Sequence, residues 1–134
     1  MSRKGESVKS GKHRPGRERG AAAVEFALIA PILMAIVVCI VEFSSFYNLQ
    51  ISVTQAAREA ARTMAVTNDT AEAASAGVAG APGLAIAPGN ITFSGACSPD
   101  ATVTATVTLT RPALTGFFGP TVTVNGQGAM RCGG

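Results

Sequence analysis

A carboxylate at the mouth of a long apolar run is the first group in this chain whose chemistry asks for a partner. Glu25 stands in Gly20-Ala-Ala-Ala-Val-Glu25-Phe26, five residues after a lone glycine, and the 16 residues from Phe26 to Val41 behind it hold no charge. An unpaired carboxylate carried to mid-bilayer costs about 3 kcal/mol on insertion scales, so either a cation meets Glu25 or it stays at head-group depth. Cysteine supplies the second chemistry. Cys97 and Cys132 fall in the C-terminal region and are candidates for a disulfide in an oxidising compartment, whereas Cys39 lies in the apolar run, where a thiol behaves as a small apolar side chain. No catalytic set assembles. The single histidine, His13, lies in the charged head, which removes a Ser/His/Asp triad and a His-based metal site. The acids outside the head (Glu25, Glu42, Glu59, Asp69, Glu72 and Asp100) are scattered without a pair. The chain reads as non-enzymatic, with no cofactor and no metal.

The elements that must position these groups begin with a split of charge. Residues 1–19 hold Arg3, Lys4, Lys9, Lys12, Arg14, Arg17 and Arg19 against Glu6 and Glu18, while the remainder holds four arginines against six acids. A basic head can bind nucleic acid, but this one abuts an apolar segment of membrane length, where Lys and Arg mark the cytoplasmic side and attract anionic lipid. It also has no aromatic residue on which a base could stack, and the later residues are net acidic, so no nucleic-acid partner is expected. With Ala21–Val24 and Phe43, the apolar run approaches the roughly 20 residues that cross about 30 Å of hydrocarbon. Beyond it, Val41-Glu42-Phe43-Ser44-Ser45-Phe46 offers no small-x-small site for a secretory peptidase, and Val38 before Cys39 is a poor lipid-attachment context. A single uncleaved span is therefore expected at this position.

Helical periodicity continues past the span. Phe46, Leu49, Val53, Ala56, Ala57, Ala60 and Met64 recur at three and four, with Gln55, Arg58, Glu59 and Arg62 between them, which predicts an amphipathic continuation to about residue 66. The result is one helix of roughly 45 residues, about 65 Å long. Pro31 removes one of its hydrogen bonds and predicts a local kink. Asn68-Asp69-Thr70 offers a break and a new N-cap before a short alanine-rich helix, and glycines and prolines from Gly77 to Gly89 predict a loop.

The period then changes from 3.6 to 2. Val103, Ala105, Val107 and Leu109 alternate with threonines, Ile91 and Phe93 share one parity, and Val122, Val124, Met130 and Cys132 share another. These residues predict three strands, about 90–97, 101–110 and 121–132, apolar on one side and laid on the alanine stripe of the helix. The fold class is α+β: a long N-terminal helix, membrane-spanning in its first half and amphipathic in its second, then a short helix and a small three-stranded antiparallel sheet. Cys97 and Cys132 would each close a strand. In a simple meander they are separated by the middle strand, roughly 9.5 Å, whereas a bridge needs Cα atoms within about 7 Å. Either the first and third strands are neighbours, or the residues beyond the strand ends bend together, or both thiols stay free. Phe117 and Phe118, in the loop joining the last two strands, are expected to cap the small core rather than form an exposed patch.

The stretch Arg19-Gly20-Ala-Ala-Ala-Val-Glu25-Phe26-Ala-Leu-Ile-Ala-Pro31, followed by Glu42 and by Gln55-Ala-Ala-Arg58-Glu-Ala-Ala-Arg62, resembles the TadE-like family of pseudopilins from bacterial tight-adherence (Flp) pilus systems. The resemblance is close over residues 20–62 and looser in the threonine-rich tail. It implies processing by a prepilin peptidase at the Gly20–Ala21 bond, with Glu25 and Phe26 as the processing and assembly motif. Glycine before the cut admits an extended backbone to a narrow cleft, and Glu25 becomes the fifth residue of the mature chain, where the helix dipole favours an anion. In related pilins such a carboxylate pairs with the new N-terminal amine of a neighbouring subunit.

The implied organisation is a basic cytoplasmic leader at 1–20, a transmembrane segment at 21–43 and an extracytoplasmic domain at 44–134. The implied role is a minor pseudopilin, retained in the cytoplasmic membrane until assembly. Its partners would be the prepilin peptidase, other pilus subunits, the Tad secretion platform and membrane lipid. An uncleaved membrane-anchored assembly factor, or an adhesin or DNA-uptake pseudopilin, is the alternative.

Overall fold

A computed structural model describes residues 15–117 and 119–133, with backbone alone for 15–19. Helix α1 runs over Pro15–Thr67, α2 over Thr70–Ala79, and a single 3-10 turn at Pro88–Asn90 leads into strands β1 (Ile91–Ser94), β2 (Thr102–Pro112) and β3 (Thr121–Arg131). This is the α+β class expected from the change of period. The chain divides into two compact units, Met1–Val37 and Val38–Gly134.

In the first unit α1 continues unbroken through Pro31. Its apolar side chains are bare: Phe26, Leu28, Ile32 and Met34 are each more than 60% exposed. Burying a side chain of this size is worth about 1.5–3 kcal/mol, and none of the described residues does so here. The helix is long and apolar enough to cross a membrane.

In the second unit α1 turns the alternation of small residues into a packing face. Val53, Ala56, Ala57, Ala60 and Ala61 are fully buried, a stripe at the three- and four-residue spacing that lines one side of a helix. Strand β2 answers with Val103, Ala105, Val107 and Leu109 buried, while its threonines face away. The sheet is a meander in the order β1-β2-β3, antiparallel throughout. Ile91 pairs with Val107 and Phe93 with Ala105, and β2 pairs with β3 from Thr102 opposite Arg131 to Pro112 opposite Thr121.

The third strand carries glycine where a core side chain would be expected. A Cβ built on Gly126 would lie 2.5 Å from the Val53 carbonyl oxygen, and one built on Gly128 would lie 2.6 Å from that of Ala57. These glycines let the helix backbone rest directly on the strand, which is why the facing helix positions are alanine and valine.

Asn68 ends α1 in the left-handed conformation (φ 53°) and its N–H donates to the Met64 carbonyl at 3.0 Å, a closure common at helix C-termini. Asp69 then caps α2, its carboxylate accepting from the Ala71 and Glu72 N–H groups at 2.8 and 3.1 Å. Gly77 lets α2 approach both Ile91 and Ala60, since a Cβ there would meet their side chains at 2.7 and 3.0 Å.

Strand β1 is shorter than the periodicity suggests, because Gly95 adopts φ +91° and turns the chain at Ser94. Cys97 therefore does not close a strand, and Cys132 falls one residue past β3. The two are bonded, with Cα atoms 5.5 Å apart. The meander stands and the segments beyond the strand ends bend together: Cys132 N–H donates to the Ala101 carbonyl at 2.8 Å and Asp100 N–H to that of Cys132 at 3.2 Å.

Candidate functional site

Gly20 and Ala21 lie inside α1, exposed to solvent. Glycine costs about 1 kcal/mol relative to alanine within a helix, and this one repays it with no contact, since a Cβ at Gly20 would meet nothing within 4 Å. Its φ is not in the left-handed region either. Nothing among the described residues accounts for glycine at this position, in contrast to Gly77, Gly126 and Gly128.

Five residues on, Glu25 is exposed and has no hydrogen bond or ion pair among the described residues. Phe26 beside it is 71% exposed. The helix carries Glu25 roughly 7.5 Å along its axis from Gly20. Both are exposed, and neither makes a packing contact or side-chain hydrogen bond among the described residues. His13 lies outside the described residues.

A second carboxylate shows the opposite behaviour. Glu42 is only 8% exposed, and its Oε2 accepts from the Thr115 N–H at 3.1 Å and from the Thr115 hydroxyl at 2.6 Å. Hydrogen bonds to a charged acceptor are worth about 1.5–3 kcal/mol, so this pair fastens the β2–β3 loop to the helix where the apolar run ends. It also closes one wall of a cleft of about 310 Å³ that includes Phe46, Leu49, Arg111 and Val122. The sequence names Glu42 as the end of the apolar run but not its partner, which lies 73 residues away. The signal that was present is the isolation of the acid: no basic residue stands within a helical turn of it.

Phe117 is 69% exposed and does not cap the core; Phe118 lies outside the described residues. The loop turns at left-handed glycines, Gly116 (φ +69°) and Gly119 (φ +128°). Among the described residues no three His, Cys, Asp or Glu side chains cluster as metal ligands would.

Comparison with known families finds a match over most of α1, Gly20 and Glu25 included. Residues 20–62 match the family described as TadE-like protein. The TadE-like segment begins at Gly20, takes in Glu25, Phe26 and Glu42, and ends at Arg62 with the alanine face that packs on the sheet. The match spans 43 of the 134 residues, all of them within α1. No curated protein and no solved structure matches the chain. The sheet and α2 lie outside the TadE-like segment.

Proposed function

We propose that the chain is a minor pseudopilin for assembly of a tight-adherence (Flp-type) pilus, cut by a prepilin peptidase between Gly20 and Ala21 and held in the cytoplasmic membrane until it is assembled. The observation that carries this reading is Gly20 itself. It opens the TadE-like segment, yet the described residues give it neither a close contact nor a left-handed φ, which supports a requirement for glycine imposed by a partner. A peptidase that binds extended backbone supplies one. Gly20 stands in the second turn of α1, near an end where helix hydrogen bonds open readily, and local unwinding there delivers the bond to a cleft.

Cleavage would place Glu25 near a new positive terminus. The α-amine of Ala21 in a neighbouring subunit is then a partner for the carboxylate that has none among the described residues. The bare apolar side chains of α1 support residence in lipid before assembly, with the basic head on the cytoplasmic side.

Intact mass and N-terminal sequencing of protein extracted from membranes, with and without the peptidase, test the proposal. A peptidase-dependent chain beginning at Ala21 is expected. A chain that retains residues 1–20 in the presence of active peptidase refutes the processing step and leaves the uncleaved anchored factor.

A further inference from the structure

We infer that the β2–β3 loop inserts the exposed side chains of Leu114 and Phe117 into the head-group region of the same bilayer that the helix enters, so that the sheet is docked on the membrane rather than hung from it. The inference rests on the membrane residence proposed above.

Level is the first argument. Thr115 is hydrogen-bonded to Glu42 through both its N–H and its hydroxyl, and Glu42 is the first charged residue after the uncharged run Phe26–Val41. If lipid covers that run, the loop lies at the boundary and not beyond it. The loop's shape is set by the protein, with Ala113 N–H donating to Pro120 O at 3.1 Å and Gly119 N–H to Gly116 O at 3.2 Å. It is a preformed projection.

Composition is the second. From Pro112 to Met130 the chain has no charged residue, and the loop presents Leu114 at 65% and Phe117 at 69% exposure. Such side chains in water, on a loop whose backbone is already ordered, are costly unless an apolar phase receives them. The helix surface at this level matches: Ile40 and Phe43 are 59% and 69% exposed, and with Cys39, Phe46 and Val122, and with Glu42 and Ser44 at its edge, they line a mostly apolar hollow of about 540 Å³. That hollow is continuous with the surface the bilayer would already cover, which selects lipid as the occupant.

The polar margin completes the pattern. Tyr47, stacked on Phe43 with ring centroids 6.5 Å apart, stands one turn farther along α1, where an amphipathic ring suits the interface. Arg111 lies on the cleft beside Glu42 and can extend its guanidinium to a lipid phosphate.

The chain has no tryptophan, so one introduced residue reports its own surroundings. The full chain carrying Phe117→Trp, and separately Leu114→Trp, is reconstituted in phosphatidylethanolamine–phosphatidylglycerol vesicles, with Phe26→Trp and Val66→Trp as references. Val66 is 76% exposed and roughly 36 Å along the helix from Glu42. Expected is a blue-shifted emission for both loop variants that falls by about half when lipids brominated near the acyl carbonyl are included, with little quenching by aqueous acrylamide; Val66→Trp shows the reverse. Loop tryptophans open to acrylamide and untouched by brominated lipid overturn the inference while a quenched Phe26→Trp leaves the anchor intact. Loop tryptophans shielded from both quenchers overturn it in favour of a protein contact. Loss of lipid quenching at Phe26→Trp itself refutes the anchor, and the docking with it.

Discussion

Replacing Gly128 with alanine tests whether the sheet is shaped by the close approach of the helix. The added Cβ would stand 2.6 Å from the Ala57 carbonyl oxygen and equally close to the Arg58 backbone, and ordinary contact begins at 3.4 Å. Both neighbours are main chain within a helix, so neither can rotate aside, and the helix and strand must part by about 0.8 Å. Separation of this order forfeits a quarter to a half of the dispersion well at each contact, across a face where Val53, Ala56, Ala57, Ala60 and Ala61 are all fully buried. Overpacking of a core commonly costs about 1–3 kcal/mol, against a gain of about 0.4–1 kcal/mol from the stiffer unfolded chain. The net loss of about 1–2 kcal/mol corresponds to a fall of about 4–16 °C in Tm for a domain of this size. Circular dichroism melts of the full chain in detergent, under non-reducing conditions, measure it. Gly89→Ala is the control, because a Cβ there meets nothing within 4 Å, and it should melt at or slightly above wild type. If Gly128→Ala melts with the control, the close approach does not constrain the fold and the reasoning fails.

Thr115→Ala removes the hydroxyl donor from the nearly buried Glu42 carboxylate while keeping the backbone N–H, and should loosen the β2–β3 loop by about 1–3 kcal/mol. The check is hydrogen exchange of the 113–120 amides, where Glu42→Gln, which keeps an acceptor, should change exchange less. Substituting Gly20 with a bulky residue should abolish processing on an immunoblot, whereas Glu25→Ala should leave cleavage intact and reduce pilus assembly. Cys97→Ser with Cys132→Ser opens a loop of 35 residues, which on the chain-entropy model costs about 3–4 kcal/mol; a Tm unchanged by reduction would refute this. Asp100→Asn breaks the Arg131–Asp100 ion pair, 3.1 Å long but mostly exposed at both ends, and should shift Tm by no more than scatter.

Periodicity made the architecture legible. The threonine alternation of β2 needs only the two-residue repeat of a pleated strand to be read, and Asn68-Asp69-Thr70 announces the break between helices through residue types that stop and cap them. Other features escape because their cause lies elsewhere in the chain. Gly126 and Gly128 look like weaknesses in a strand until the helix backbone is seen against them. The obstacle to joining Cys97 and Cys132 across a meander dissolves because Gly95 ends β1 early, which no periodicity reports. Phe117 seemed suited to a core, yet the core is already filled by the alanine face and β2, and the loop that carries it is pinned to Glu42. That pin joins residues too distant in sequence for any local pattern to register. Gly20 is the converse case: its motif is local, and the fold adds only that no described residue requires glycine there.

The bond between Cys97 and Cys132 also has a topological result. It closes a covalent ring that contains the whole of β2, the loop and β3. A protease that nicks the chain anywhere within that ring leaves one connected molecule, its pieces separable only after reduction. A gel run without reductant would show an intact band for a protein whose loop has been cut, so damage at its most projecting segment stays silent until the ring is opened.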